Sequence, residues 1–419
     1  MSAEPVNIVL SFQDARRVVE EQAALVQASG AEYVDLLSAD GRVLFEPVDA
    51  DRDLPPFPRS TRDGYAVRSV DVSQVPATLE VIGEIKAGEK LDRIPRNIAR
   101  GQTASIMTGA PVPAGADAVV MVEYSSPYGK QVEITRSVVA GENIVACGAE
   151  ARVGSRLLDR GVRLSASAIA LAASVGKSKL QVYKRPRVAV LTTGDEIVDV
   201  DATPGPTQIR NSNSYSLATQ VRRAGGEAVL LPVAPDELQG LRRLVEEGLK
   251  SDLLLMTGGV SMGRYDLVEQ VLSAMHAEFF FTGAKIQPGR PVVFGMVAGS
   301  VREKPGTYFF GLPGNPVSTM VTFELFARPM LEALCGQPPG KLSFLHARLK
   351  SEIRIKTGLQ RFLPAVVSRE FEQSQVELVT WQGSGDIAAT ARANCYIVIP
   401  SDRDRIQAGE WVAVMKSDC

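Results

Sequence analysis

The sequence predicts a multidomain fold of the α/β plus β class. It has a central doubly wound, mostly parallel α/β domain, a β-rich second domain ahead of it and a small β-barrel-like domain at the C-terminal end. Three observations carry this. From residue 183 to 336, apolar runs alternate with helical stretches, the mark of parallel strands joined by helical crossovers. From 77 to 152, short runs such as "TLEVIGEI", "TASIMTG", "AVVMVEY" and "QVEITRSV" alternate with Gly, Pro and Asp, which reads as short strands and turns. The chain has 419 residues, 45% of them hydrophobic; at about 150 residues per domain it can fill two to four cores.

Each element follows from local chemistry. Ser11 caps a helix expected over 11–28, with Gly30 as its stop. The segment "DADRDLPPFPRST", from Asp49, holds three prolines in four positions and is extended and irregular. "SASAIALAASVGKSKL" is a capped helix ending near Gly176. Then come a strand in "RVAVLTTGDE", a helix over 213–224, a strand in "EAVLLPV", a helix over 237–249, a strand in "DLLLMT" and a helix over 267–275. "PVVFGMV" and "TYFFGLPGNP" are strands, and 317–334 is one long helix. "CGQPPGK" is a linker, after which "CYIVIP" and "EWVAVM" are the clearest strands.

Composition narrows the chemistry. A net charge of −2 provides no global basic field for nucleic acid or anionic lipid, so any anion site is local. Cys147, Cys335, Cys395 and Cys419 are far apart and form no CxxC pair, which argues against a zinc knuckle or disulfide scaffold and fits a reducing cytoplasm. With two histidines, His276 and His346, serine–histidine catalysis and multi-histidine metal sites are nearly excluded. We expect no signal peptide and no membrane span, since no long apolar run is present.

Three turns lie where a parallel sheet binds ligands, beyond the carboxyl ends of strands: "TTGDE" (192–196), "TGGVSMGRYD" (257–266) and "GLPGNP" (311–316). Their glycines let backbone N–H groups approach an anion, and a following helix start adds about half a positive charge. Thr193, Gly194, Gly258, Gly259, Ser261, Gly263, Pro313, Gly314, Asn315 and Pro316 are the expected ligand-binding residues. One such turn alone simply redirects the chain; three point to a pocket for a phosphate-bearing guest. Neither GxxxxGK[ST] nor GxGxxG is present. Glu196 and Asp266 are candidate ligands for a divalent cation such as magnesium, which uses one or two carboxylates with phosphate oxygens. Asp195 is equally well explained as a cap. Asp236, in "APDEL", is expected to cap the helix after it and could face the pocket. Lys285 and Arg290 flank a Pro-Gly turn in "AKIQPGRP"; on local pattern they read as solvated charges. Asp63, in "RSTRDGYAVR", and Thr108, in "IMTGAPVPAGAD", are weak signals alone.

Taken together, "STRDGYAV", "IMTGAPVPAGADAVV", "TTGDEI", "IRNSNSY", "TGGVSMGRYD", "IQPGRPVVFG" and "GLPGNPVS" resemble, in order, the molybdopterin molybdenumtransferases, the MoeA family related to the gephyrin C-terminal region. The resemblance spans nearly the whole chain. It implies insertion of molybdenum from molybdate into adenylylated molybdopterin, with release of AMP and support from Mg2+ or a similar divalent ion. It implies a cytoplasmic homodimer whose pocket, of molybdopterin-binding type, faces the partner's β-rich domain, and contact with the molybdopterin adenylyltransferase. The expected domains are 1–48 with 153–182, 49–152, 183–336 and 337–419. By motif position, Asp63, Glu196 and Asp266 would be catalytic. Thr108, Asp236, Lys285, Arg290, Pro313, Pro316 and Ser384 would bind substrate. Two places depart from the family. Gly283 and Gln287 stand where lysines are frequent, and Leu359 follows Gly358 where an arginine is frequent, so that Arg361 is the nearest cation. The competing readings are the related adenylyltransferase and a non-catalytic pterin-binding scaffold.

Overall fold

The computed structural model describes residues 8–28, 30–90, 92–259, 267–299, 306–338, 340–368 and 370–416. The expected site residues Ser261, Gly263 and Asp266 lie outside them.

The central sheet has six strands, in the spatial order Glu227–Leu230, Arg187–Thr192, Leu253–Thr257, Gly306–Leu312, Val293–Ala298, Glu278–Phe281. The first four run parallel; the last two pair antiparallel. Burial explains why both faces are covered. Val188, Val190, Leu253, Leu255 and Phe310 enter one core with the helix Asn213–Ala224. The alternate residues Ala189, Leu191, Leu254, Met256 and Phe309 enter another with the helices Leu238–Gly248 and Leu267–Ala274. A strand apolar on both sides fits between two helical layers and nowhere else.

Ahead of it, a second six-stranded sheet follows the order Ala118–Met121, Gly64–Val67, Gln102–Ile106, Ala77–Ile85, Gln131–Ile134, Ser125–Tyr128. Here too the period of two splits neighbours: Tyr65 and Val67 pack on one side, Ala66 and Ile106 on the other. At the C-terminal end, five strands close on themselves. Gln360–Val367 pairs with Gln375–Leu378 on one side and Cys395–Ile399 on the other, and Leu345–Leu349 and Trp411–Lys416 complete the ring. This small barrel is tied to the central part by a parallel bridge, Ile286 to Gln360 and Gln287 to Arg361. Elsewhere Ala31–Asp35 pairs with Lys179–Tyr183 beside the helix Ala166–Ser174. No helix among the described residues is long and apolar enough to cross a membrane.

Two expectations need correction. The first helix runs Phe12–Ala24, capped by Ser11, and stops at Leu25, before the expected end at 28. The helix expected over 317–334 is interrupted: Pro316–Thr322 passes through a π segment, Phe323–Ala327, into Arg328–Leu334. Pro329 is the reason. It has no N–H for the carbonyl of Leu325, four residues back. The buried guanidinium of Arg16 takes that vacancy, donating from Nη1 to Leu325 O at 2.6 Å.

Candidate functional site at the ends of three parallel strands

Thr192, Thr257 and Leu312 are in register across the sheet, so the three following turns leave it side by side. They line one cleft of about 380 Å³, with Thr193, Glu196, Asn211, Ser212, Asn213, Gly258, Gly259, Pro313, Gly314, Asn315 and Pro316 among its walls. The turns are tied together. The amide of Thr193 donates to Thr257 O at 2.9 Å. The hydroxyl of Thr257 donates to Pro313 O at 3.0 Å. Asn213 Nδ2 donates to Thr257 Oγ1 at 3.0 Å and Gly314 O at 2.8 Å. Gly258 has φ +87°, and a Cβ there would stand 2.3 Å from Thr193 O. Only glycine allows this approach.

The turns feed helices differently from the expectation. "TTGDE" leads into a short pairing of Ile197–Val198 with Ile209–Arg210, not into a helix. Two helix starts reach the cleft: that of Pro316–Thr322, which follows the third turn as expected, and that of Asn213–Ala224, whose first residues the sequence reading did not assign to the site. A network backs this start: Asn211 Nδ2 donates to Ser214 Oγ at 2.9 Å, and Ser214 N donates to Asn211 Oδ1 at 3.1 Å.

Glu196 is the one acid among the described lining residues, and its carboxylate folds against Gly194. Asp195 accepts from the amide of Asp236 at 3.0 Å, a turn-capping role. The cap of the helix Leu238–Gly248 is Glu237, not the expected Asp236; its carboxylate accepts from Gln239 N and Gly240 N. Asp236 is exposed and does not line the cleft. Lys285 and Arg290 are exposed and do not line it either, although Pro291, next in the chain, does.

Ser384 arrives from the barrel side. Asn315 Nδ2 donates to its Oγ at 2.8 Å, and Val317 N donates to its carbonyl at 3.0 Å. Arg361, 6% exposed, donates from Nε to Gln287 Oε1 at 2.8 Å. Burial lowers its pKa. The two departures from the family pattern thus meet in one hydrogen bond.

Asp63 and Thr108 lie in turns at the ends of two paired strands of the other six-stranded sheet, Gly64–Val67 and Gln102–Ile106, and do not line the cleft. They are joined to each other: Thr108 donates its amide at 2.6 Å and its hydroxyl at 2.7 Å to Asp63 Oδ1. The amide, then the hydroxyl, hold the Asp63 carboxyl below the usual carboxylate range. Among the described residues no group of three or more His, Cys, Asp or Glu gathers as a metal site.

Comparison with known proteins adds an independent line. Residues 10–176 match the family described as MoeA N-terminal region (domain I and II), 189–333 a "probable molybdopterin binding domain", and 346–416 the MoeA C-terminal region (domain IV). Molybdopterin molybdenumtransferase of a Nostoc species is 34% identical, covering 92% of this chain and 88% of the relative. That of Staphylococcus aureus is 30% identical over 100% of this chain and 98% of its own. The crystal structure of a molybdopterin biosynthesis MoeA protein from Pyrococcus horikoshii superposes with TM-score 0.77 at 26% identity, covering 98% of this chain and 100% of that one.

Proposed function

The chain belongs to the molybdopterin molybdenumtransferase family, and from that premise we propose that it inserts molybdenum from molybdate into adenylylated molybdopterin with release of AMP. One observation carries the reading: three strand ends in register open into a single cleft walled by glycines and polar groups, with Glu196 and Arg210 as its charged members. Hydrolysis of a pyrophosphate link forms a P–O bond to an attacking water, which gives up a proton, breaks the bridging P–O bond and leaves charge on the departing phosphate. Backbone amides at Gly258, Gly259 and Gly314 can approach such oxygens without a side chain between. Glu196 suits a cation that also leans on the guest's phosphate oxygens, a magnesium-like donor set. Bound there, the cation would neutralise the charge that develops as the link opens.

Asp63 stays ionised through the neutral range but lies outside the cleft of its own chain. In our reading a homodimer brings Asp63 and Thr108 of one copy to the cleft of the other. Mixing Asp63→Asn protein with Glu196→Gln protein should then restore activity that neither variant shows alone. Cys147, Cys335 and Cys395 are free thiols, which supports a cytoplasmic setting.

The decisive experiment supplies adenylylated molybdopterin, molybdate and magnesium and follows AMP. Molybdate-dependent release is expected; its absence removes the proposal. Consumption of ATP with molybdopterin instead would make the chain an adenylyltransferase, and neither reaction would leave a scaffold.

A further inference from the structure

Two oxygens in the cleft have no hydrogen-bond partner among the described residues. They are Asn213 Oδ1 and Thr193 Oγ1, on side chains 8% and 3% exposed. Buried polar atoms are nearly always partnered, so each such exception calls for an explanation. The orientation of Asn213 is fixed by its neighbours. Gly314 O can only accept, so the atom facing it is the amide nitrogen. Thr257 gives its proton to Pro313 O, so it too accepts from that nitrogen. Both N–H groups of Asn213 are consumed in tying the turns together. Its carbonyl oxygen is left over, and it can only accept.

A phosphate offers acceptors, and an acceptor facing Asn213 Oδ1 would repel it. This corner of the cleft therefore does not suit the phosphate end of the guest. We propose that Asn213, with Thr193, is a specificity-determining pair that takes the exocyclic amino group of the guest's heterocyclic end. Asn213 Oδ1, which can only accept, and the Thr193 hydroxyl, which can accept as well as donate, suit the two N–H bonds of one amino group. The phosphates then lie towards Gly259 and Gly314. The inference rests on the transferase reading only for the nature of the guest. Two parts of an adenylylated pterin carry such a group: the pterin ring and the adenine.

The pair is closed to water in the ligand-free chain. The turn at Gly258 and Gly259 lies directly over Thr193, since a Cβ on Gly259 would stand 2.7 Å from Thr193 Oγ1. For an amino group to reach both oxygens, that turn must shift outward.

The test uses the full chain and calorimetric binding of five probes: 6-hydroxymethylpterin, its 2-desamino analogue, AMP, its 6-desamino analogue and inorganic pyrophosphate. Thr193→Val keeps the shape and removes the hydroxyl. It should weaken one of the two amino-bearing ligands by roughly tenfold, the scale of a hydrogen bond lost at a buried site. Removing the amino group from that ligand should cost the unaltered protein a similar factor and the variant almost nothing more. The ligand that behaves this way identifies which ring enters the corner. Pyrophosphate should bind both proteins equally. Asn213→Leu also removes the ties and risks unfolding, so the analogues on unaltered protein carry the Asn213 half of the test. Equal weakening of pyrophosphate, no change for any ligand, a desamino penalty that is unaffected by Thr193→Val, or no binding of either heterocycle would each overturn the inference. A chain that passes this test but releases no AMP with molybdate would fail the transferase reading alone.

Discussion

The cleft on the central sheet and the Asp63–Thr108 pair on the neighbouring sheet solve opposite problems. The cleft is concave, carries one acid and one base, Glu196 and Arg210, and is held by neutral hydrogen bonds among Thr193, Asn213, Thr257 and Gly314. The pair is exposed, and its charge is held ionised by two donors from one threonine. On the proposed reading the first recognises the guest and the second reacts with it, so that neither region of one chain suffices by itself.

Substitutions can break this contrast. The largest effect is expected from Gly258→Ala. The new methyl group meets Thr193 O at a φ that disfavours any side chain. Activity should vanish, and thermal unfolding should show a loss of about 1–3 kcal/mol. Asp63→Asn should lower turnover by roughly 10²-fold or more with the melting temperature unchanged; an equal fall in both would make Asp63 structural. Thr108→Val should act through pH. The folded pKa of Asp63 lies below its unfolded value, so Asp63 remains charged as pH falls through the ordinary carboxylate range. What its hydrogen bonds contribute is present above the unfolded pKa and is lost as pH drops through the folded one. Without the hydroxyl, and with the Thr108 amide still donating, the acid limb of the rate profile should move up towards the ordinary carboxylate range. A limb that does not move would separate Asp63 from the chemistry. The smallest change is expected from Ser384→Ala, which removes one hydrogen bond to Asn315. It should raise KM several-fold and leave kcat nearly intact, in line with about 1 kcal/mol for one neutral bond.

Much of the frame was legible because its causes are local. Strands apolar on both faces announced a covered sheet. Glycine and threonine after Leu191 and Met256 announced turns, and 213–224 matched both ends of its helix. What escaped depends on distant partners. Asn213 looks like any helix-opening residue until its amide is seen reaching residues 44 and 101 positions away. The cap falls on Glu237, whose carboxylate accepts from Gln239 N and Gly240 N, while Asp236 is tied by its amide to Asp195 in a neighbouring turn. Gln287 read as a missing lysine, yet across the bridge to the barrel it is the acceptor for Arg361. The reading of 317–334 as one helix passed over Pro329, and nothing nearby foretold that Arg16 would serve the carbonyl it leaves.

That last contact couples two distant stretches of the chain. Arg16 sits in the opening helix, and the oxygen it satisfies lies 309 positions later. Shortening the protein from its front would therefore wound a remote part of it, taking the donor from a carbonyl in the π segment Phe323–Ala327. Arg16→Leu, which keeps the bulk of the side chain and loses the donor, should reproduce that injury as a lower melting temperature; an unchanged melt would show that the segment needs no such repair.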